Sequence, residues 1–154
     1  MKFFNIKIDI KKILLISIFL IFLLLIIFLI NSNTIINMNN SNFTSILRDS
    51  HENITKYLGK KISTTGYIFR GKDFSNTNFV IARDMLINET QANIVGFFCS
   101  YDYASEFENN EWVEATGTIV LGDYYGPIPM IKINTIKRIT TPNDVFVYPP
   151  NKNN

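Results

Sequence analysis

The chain has 154 residues, 47% of them hydrophobic and 18% charged, with a formal net charge of +2 and one cysteine, Cys99. That length leaves room for a single globular domain beside a membrane segment, and one cysteine excludes an internal disulfide framework. Residues 31–154 hold eleven Lys/Arg against twelve Asp/Glu, a charge of −1, so they lack the basic surface that reading a phosphate backbone requires.

Lys2, Lys7, Lys11 and Lys12, against Asp9 alone, make a basic N-terminus over residues 1–12. Residues 13–30 follow, Ile13 to Ile30, apolar throughout except for Ser17, and no charge appears again before Arg48. Such a run matches the ~20 apolar residues that cross a bilayer as a helix. It ends Phe28-Leu29-Ile30-Asn31-Ser32-Asn33 without the small residues of a cleavage site, so the pattern predicts an uncleaved signal anchor. Positive charge before the span and none just after it predicts a cytoplasmic N-terminus and an extracytoplasmic remainder. That is a single-pass protein of the cell membrane.

Residues 31–41 read as a polar linker. Phe43, Ile46, Leu47, Ile54, Tyr57 and Leu58 then recur at helical spacing, with Arg48, Asp49, Glu52 and Lys56 on the other side. One amphipathic helix or two short ones are expected, with Ser41 as N-cap and Gly59 as the stop, the apolar stripe packing on the domain that follows.

From Lys60 the period changes to that of strands. Five are predicted: Lys61–Arg70, Asn78–Arg83, Ile94–Cys99, Trp112–Leu121 and Met130–Ile139. In the fourth, Val113, Ala115, Gly117, Ile119 and Leu121 share one face; in the fifth, Ile131, Ile133, Ile136 and Ile139 imply a bulge. Gly66 and Gly117 lie inside long runs, as sharp coiling in a small barrel demands. Residues 100–111 occupy the place of the helix between the third and fourth strands of an OB-fold. The expected fold is therefore mainly β, an OB-like five-stranded barrel preceded by an amphipathic helix and one transmembrane helix; a small open sandwich is the alternative. The domain spans 42–150, with Val145–Pro150 strapped across the barrel and 151–154 a disordered tail.

No motif in the chain calls for chemistry. His51 and Cys99 have no second imidazole or thiol to share a metal with. His51 reads as a partly buried, hydrogen-bonded side chain and Cys99 as a small core residue. Asp102, Glu106, Glu108, Glu111 and Glu114 lack a calcium-loop spacing and read as a solvated face. Nucleophile elbows and phosphate loops are missing from the sequence, so a non-enzyme without a cofactor is expected. The loops after the first and fourth strands, 71–77 and 122–129, are where an OB barrel binds. The second carries Tyr124 and Tyr125, a candidate binding loop or a lid on the core.

Tyr57-Leu-Gly59-Lys60, Gly66-Tyr-Ile-Phe-Arg70, Asn78-Phe79-Val-Ile-Ala-Arg83, Trp112-Val-Glu-Ala-Thr-Gly117-Thr118 and Val147-Tyr148-Pro149 follow one another in order. Together they resemble the C-terminal domain of the YcgQ-like family, described as subunits of a two-component membrane permease. The resemblance covers about residues 42–150 and implies an accessory role beside a multi-span permease, without nucleic acid. Members of that family carry a larger N-terminal membrane part, and many have adjacent cysteines a few residues after the arginine that Arg83 matches. Asp84–Glu89 contains none, so no thiol role carries over. The other anchored OB barrel, the haem chaperone of cytochrome c maturation, needs a histidine late in the barrel, and this chain has none after His51. A small-ligand-binding or enzymatic barrel using Tyr124 and Tyr125 is the competing expectation.

Overall fold

A computed structural model of the chain describes residues 10–150. Lys2, Lys7, Asp9 and the expected tail 151–154 lie outside the described residues. The chain divides after Thr34 into two units, each taken by itself.

The first unit contains α1, Ile10–Asn33. Mean hydropathy over Ile10–Ile27 is 2.8 and no residue of that stretch is buried. At ~1.5 Å per residue the helix is long enough, and it is apolar enough, to cross a bilayer core of ~30 Å.

The second unit runs β1 (Ile35–Asn37), α2 (Phe43–Glu52), α3 (Ile54–Tyr57), β2 (Lys61–Phe69), β3 (Asn78–Asn88), β4 (Gln91–Ser100), a single 3-10 turn (Ala104–Glu106), β5 (Trp112–Asp123), β6 (Pro127–Arg138) and β7 (Phe146–Val147). β2 pairs antiparallel with β3 and with β5, β3 with β4, and β5 with β6; β4 and β6 run parallel. The ring β2-β3-β4-β6-β5 thus closes on β2. That path, with its one parallel contact between third and fifth strands, is that of a closed OB-fold barrel.

The ring is split along one seam. β2 and β3 pair only at Tyr67↔Ala82, Ile68↔Ile81 and Phe69↔Val80 before they diverge. β1 fills the β2 side of the gap through Ile35↔Lys61 to Asn37↔Ser63, and β7 fills the β3 side through Asp84↔Phe146 and Met85↔Val147. The stretch 31–41, read from sequence as linker, therefore contains a strand. The C-terminal strap is the other seam strand, with Val147 fully buried.

Alternation fills the interior. Ile62, Thr64, Ile68, Phe79, Ile81, Phe97, Cys99, Val113, Ala115, Ile119, Ile131 and Ile133 are buried there. The Thr64 hydroxyl is buried without a partner. β6 bulges as its pattern implies: Thr116 faces Thr135 but Gly117 faces Ile133, so Asn134 is the extra residue and Ile136 turns back toward the core. The inward face of β5 stops at Ile119; Leu121 is 59% exposed and Gly122 takes the buried place, which corrects the expected register. Gly66 and Gly117 are required by close approach. A Cβ on Gly66 would lie 2.4 Å from the Ala82 carbonyl oxygen, and one on Gly117 2.4 Å from Ile131 Cγ2 and 2.5 Å from the Lys132 carbonyl oxygen.

The amphipathic segment is two helices. Phe43 and Tyr57 are buried, and Ile46 and Leu47 pack on the core. Leu58 is 40% exposed, because it stands past the end of α3 in extended backbone. Ser41 does not cap α2. Asn39 does the local work, its Oδ1 accepting from the backbone N–H groups of Ser41 (2.9 Å) and Asn42 (3.3 Å). Between β4 and β5, the place expected to hold a helix has one 3-10 turn. Arg70 reaches over from the end of β2 and satisfies the carbonyls of Ala104 and Phe107 there.

Candidate functional site

Two places concentrate the residues marked out by sequence. The first is the seam. Arg83 keeps the inward parity of Phe79 and Ile81 on β3 and is 2% exposed. Its Nε donates to the Val145 carbonyl at 3.2 Å and its Nη1 to the Thr65 carbonyl at 3.3 Å. Nη2 donates to Asn40 Oδ1 at 2.6 Å and to the carbonyls of Asp144 and Phe146 at 3.2 and 3.4 Å. The guanidinium also lies 5.3 Å from the ring of Trp112 and 5.9 Å from that of Phe43. Burial draws its pKa below the ordinary arginine value, while Asp144 and Asp84 pull it back. A planar fork that bonds five acceptors on three other chain segments is a structural knot.

The second is the loop between β5 and β6. Tyr124 stacks on Phe98 with centroids 5.0 Å apart and planes at 20°, and meets Phe74 edge-on at 5.4 Å. Tyr125 is 90% exposed and sits at φ 55°, a left-handed backbone uncommon for a bulky residue. Both phenols donate to Asp73 Oδ2, at 2.9 and 3.2 Å. These bonds, Tyr124's first, hold the Asp73 carboxyl below the usual range and push the Tyr124 phenol up. The two loops expected to form an OB binding rim, 71–77 and 122–129, are therefore joined. Tyr124 is packed as a lid and Tyr125 projects from it.

The other marked residues are spread through the framework. Gly59 ends α3 at φ 78° and its N–H donates to the Ile119 carbonyl. The Lys60 carbonyl accepts from Ile119, and its ammonium stands 5.6 Å from the Tyr57 ring. Arg70 lies over Phe79, a core residue, at 5.6 Å. The Tyr148 carbonyl accepts from Thr44 Oγ1 at 2.6 Å, while its ring is exposed, as is Pro149. Arg83 and Trp112 are thus brought together; Gly59, Gly66 and Gly117 serve chain geometry.

His51 is exposed rather than partly buried, since α2 turns it outward; its Nδ1 is 2.8 Å from the Leu47 carbonyl. Cys99 is fully buried and its thiol is pushed up to about 12 by that burial, which opposes the thiolate form a nucleophile needs. The acidic run is divided: Glu111 pairs with Arg138 and Glu114 with Lys137. Among the described residues no three His, Cys, Asp or Glu side chains gather as a metal site would.

Residues 28–149 match the family described as the DUF1980 C-terminal domain. The chain belongs to that family. No curated protein matches it. Among solved structures, the mitochondrial single-stranded DNA-binding protein Rim1 of S. cerevisiae is similar at 14% identity and a TM-score of 0.36, over 55% of this chain and 98% of that one. An OBody bound to hen egg-white lysozyme gives 12%, 0.34, 54% and 97%. A small single-stranded DNA-binding protein from Streptomyces coelicolor gives 11%, 0.31, 51% and 91%. At these scores they carry no argument about this family member, whose barrel rests on its own strand order.

Proposed function

We propose that this chain is a membrane-anchored, extracytoplasmic OB-like subunit that performs no chemistry of its own and docks on a multi-span permease. The observation that carries the reading is α1, a 24-residue helix with an unburied stretch that is apolar from Ile13 onward except for Ser17, which is stable only in lipid or against an equally apolar partner. Lysines before Ile13 and no charge in residues 31–42 orient the domain outward. A binding rather than catalytic role is supported by how the polar groups are used: Arg83 and Arg70 bond main-chain carbonyls, and Cys99 is kept as a thiol. Lipid gives apolar helices little drive to associate, and the run Ile13–Ile30 has no glycine. Most of the docking energy then comes from the barrel, where Tyr125 is a rigid exposed aromatic of the kind that anchors interfaces.

The test has two arms. A reporter fused after Asn154 is expected to behave as exported, and protease added to intact cells to remove the domain; protection until lysis overturns the orientation. Purified in mild detergent with its encoded neighbours expressed, the protein is expected to bring down a multi-span partner, less so with Tyr124→Ala plus Tyr125→Ala. Purification alone overturns the subunit reading and favours the second one, a ligand-binding or enzymatic barrel that uses the same loop. The observation favouring that second reading is the left-handed backbone at exposed Tyr125.

A further inference from the structure

Beside the seam, on the outer face of the sheet, a cleft of about 320 Å³ is lined by Tyr67, Asp84, Asn110, Trp112 and Val145. Tyr67 and Trp112 are directly opposite in the β2–β5 register. Their rings stand 5.9 Å apart at 63°, forming an apolar corner. Asp84 closes the side, its Oδ1 accepting from the Tyr67 hydroxyl at 2.8 Å. Asn110 enters from the turn before β5, with its own backbone N–H fixed on the Ile68 carbonyl at 2.8 Å. Every wall is thus held by a strand or by a bonded backbone, which is the precondition for a precise site.

What remains unused in that corner is specific. Asp84 Oδ2, the Asn110 amide and the Trp112 indole N–H have no hydrogen-bond partner among the described residues. The indole nitrogen is not sealed off: among the described residues the one buried side-chain polar atom without a partner is the Thr64 hydroxyl, inside the barrel. The residues lining the cleft thus offer one charged acceptor, one amide that both donates and accepts, and one donor beside two aromatic rings. We infer that the cleft is a binding site for a single pyranose ring of a neutral carbohydrate.

Three arguments select that ligand. Hydroxyl groups donate and accept at once, so a sugar can use all three unpaired groups, while the C–H face of its ring covers the aromatic corner. A quaternary ammonium would satisfy the carboxylate and the rings but leave the indole and amide donors facing alkyl groups. A phosphate-bearing ligand would meet the Asp84 carboxylate, and no lysine or arginine lines the cleft. The volume lies at the low end of the ~300–1,000 Å³ of small-ligand sites, which suits one ring rather than a chain of them.

Trp112 is the sole tryptophan, so fluorescence excited selectively at tryptophan reads this site. The full chain, held in an amine-oxide detergent to avoid sugar head groups, is titrated with glucose, galactose, N-acetylglucosamine and their disaccharides, with choline chloride as the cationic probe. At least one sugar is expected to change Trp112 emission saturably. Asn110→Gly keeps the φ of 65° and removes the amide; Asp84→Asn removes the charge. Each is expected to weaken that binding roughly tenfold or more, as loss of a ligand hydrogen bond does, with Asn110→Gly melting like the parent. The inference is overturned if no sugar saturates, if choline saturates and sugars do not, or if Asn110→Gly binds as the parent does; the last comparison decides even if Asp84→Asn fails to fold. The outcome is independent of permease capture, which is read through Tyr124 and Tyr125.

Discussion

The seam at Arg83 and the loop at Tyr124–Tyr125 are both places where the barrel is tied to something outside its five strands, and they are tied in opposite ways. At the seam a permanent charge is 2% exposed and bonds five acceptors, four of them main-chain carbonyls. At the loop two phenols share one exposed carboxylate oxygen, and one of the rings is 90% exposed. Burying a charge is tolerable only when its hydrogen bonds are complete, so Arg83 belongs to the architecture although its residue type suggests a ligand. Exposed Tyr125 has no such duty. A buried polar residue bonded inside the fold through each of its nitrogens is a joint, and an exposed one is where a partner can bind.

The largest break expected in this contrast is Arg83→Ala. It takes the guanidinium from the Asn40 amide oxygen and from the carbonyls of Thr65, Val145 and Phe146, and leaves the Asp144 carbonyl with the Asn40 amide alone. A loss of roughly 3–5 kcal/mol in thermal or denaturant unfolding of the full chain is expected. Arg83→Lys keeps the charge without the planar fork and should recover only part of it. An Arg83→Ala protein that melts with the parent refutes the joint. Gly66→Ala comes next, because it probes the three-pair contact that starts the seam. Its new methyl would stand 2.4 Å from the Ala82 carbonyl oxygen, and overpacking of this kind costs about 1–3 kcal/mol.

Acid should separate the two ties further. Arg83 stays charged over the whole accessible range, whereas Asp73 titrates. Its folded pKa lies below the ordinary ~3.9, chiefly through the Tyr124 hydroxyl. The stability it contributes is therefore complete above the ordinary value and is lost as pH falls through the lowered one. Melting temperature against pH should fall less steeply in acid for Asp73→Asn than for the parent. Asp49, lowered first by Lys56 and then by Tyr57 and Asn53, has the same sign, so the difference between the curves, and not the parent curve alone, carries the result. Parallel curves would mean that Asp73 does not hold the loop.

The barrel was legible in the sequence because its strands alternate and its glycines mark close approaches; even the β6 bulge showed in the spacing of Ile133 and Ile136. The strand ends were less so. β3 continues through Asn88 and β4 begins at Gln91, two-residue turn included, where polar Asp84, Asn88, Gln91 and Asn93 conceal the pairing. β1 has only Ile35 and Ile36 to announce it and exists because the diverging β2 leaves an edge to pair with. Arg83 and Trp112 stood out as motif residues, but their partners lie far along the chain, and only closure of the ring brings Asn40, Asp144 and Val145 to one guanidinium. Asp73 and the Tyr67–Asp84 pair carried no local signal, since an aspartate in a loop or after an arginine is ordinary on any surface.

The smallest expected effect is the most informative about the loop. Tyr125→Gly removes a left-handed bulky residue in favour of one that adopts that backbone freely. It loses one exposed hydrogen bond to Asp73 and buries almost nothing less, the ring being 90% exposed. The two changes oppose each other, and stability is expected to move by no more than about 0.5 kcal/mol. Tyr124→Ala, by contrast, removes the ring stacked on Phe98 and set against Phe74 and should destabilise by more than that. If Tyr125→Gly melts with the parent while recovering less of a membrane partner from detergent, the exposed ring is a contact and nothing else. If it melts appreciably lower, Tyr125 is a second joint, and the distinction between a saturated seam and a free loop fails at the residue that defines it.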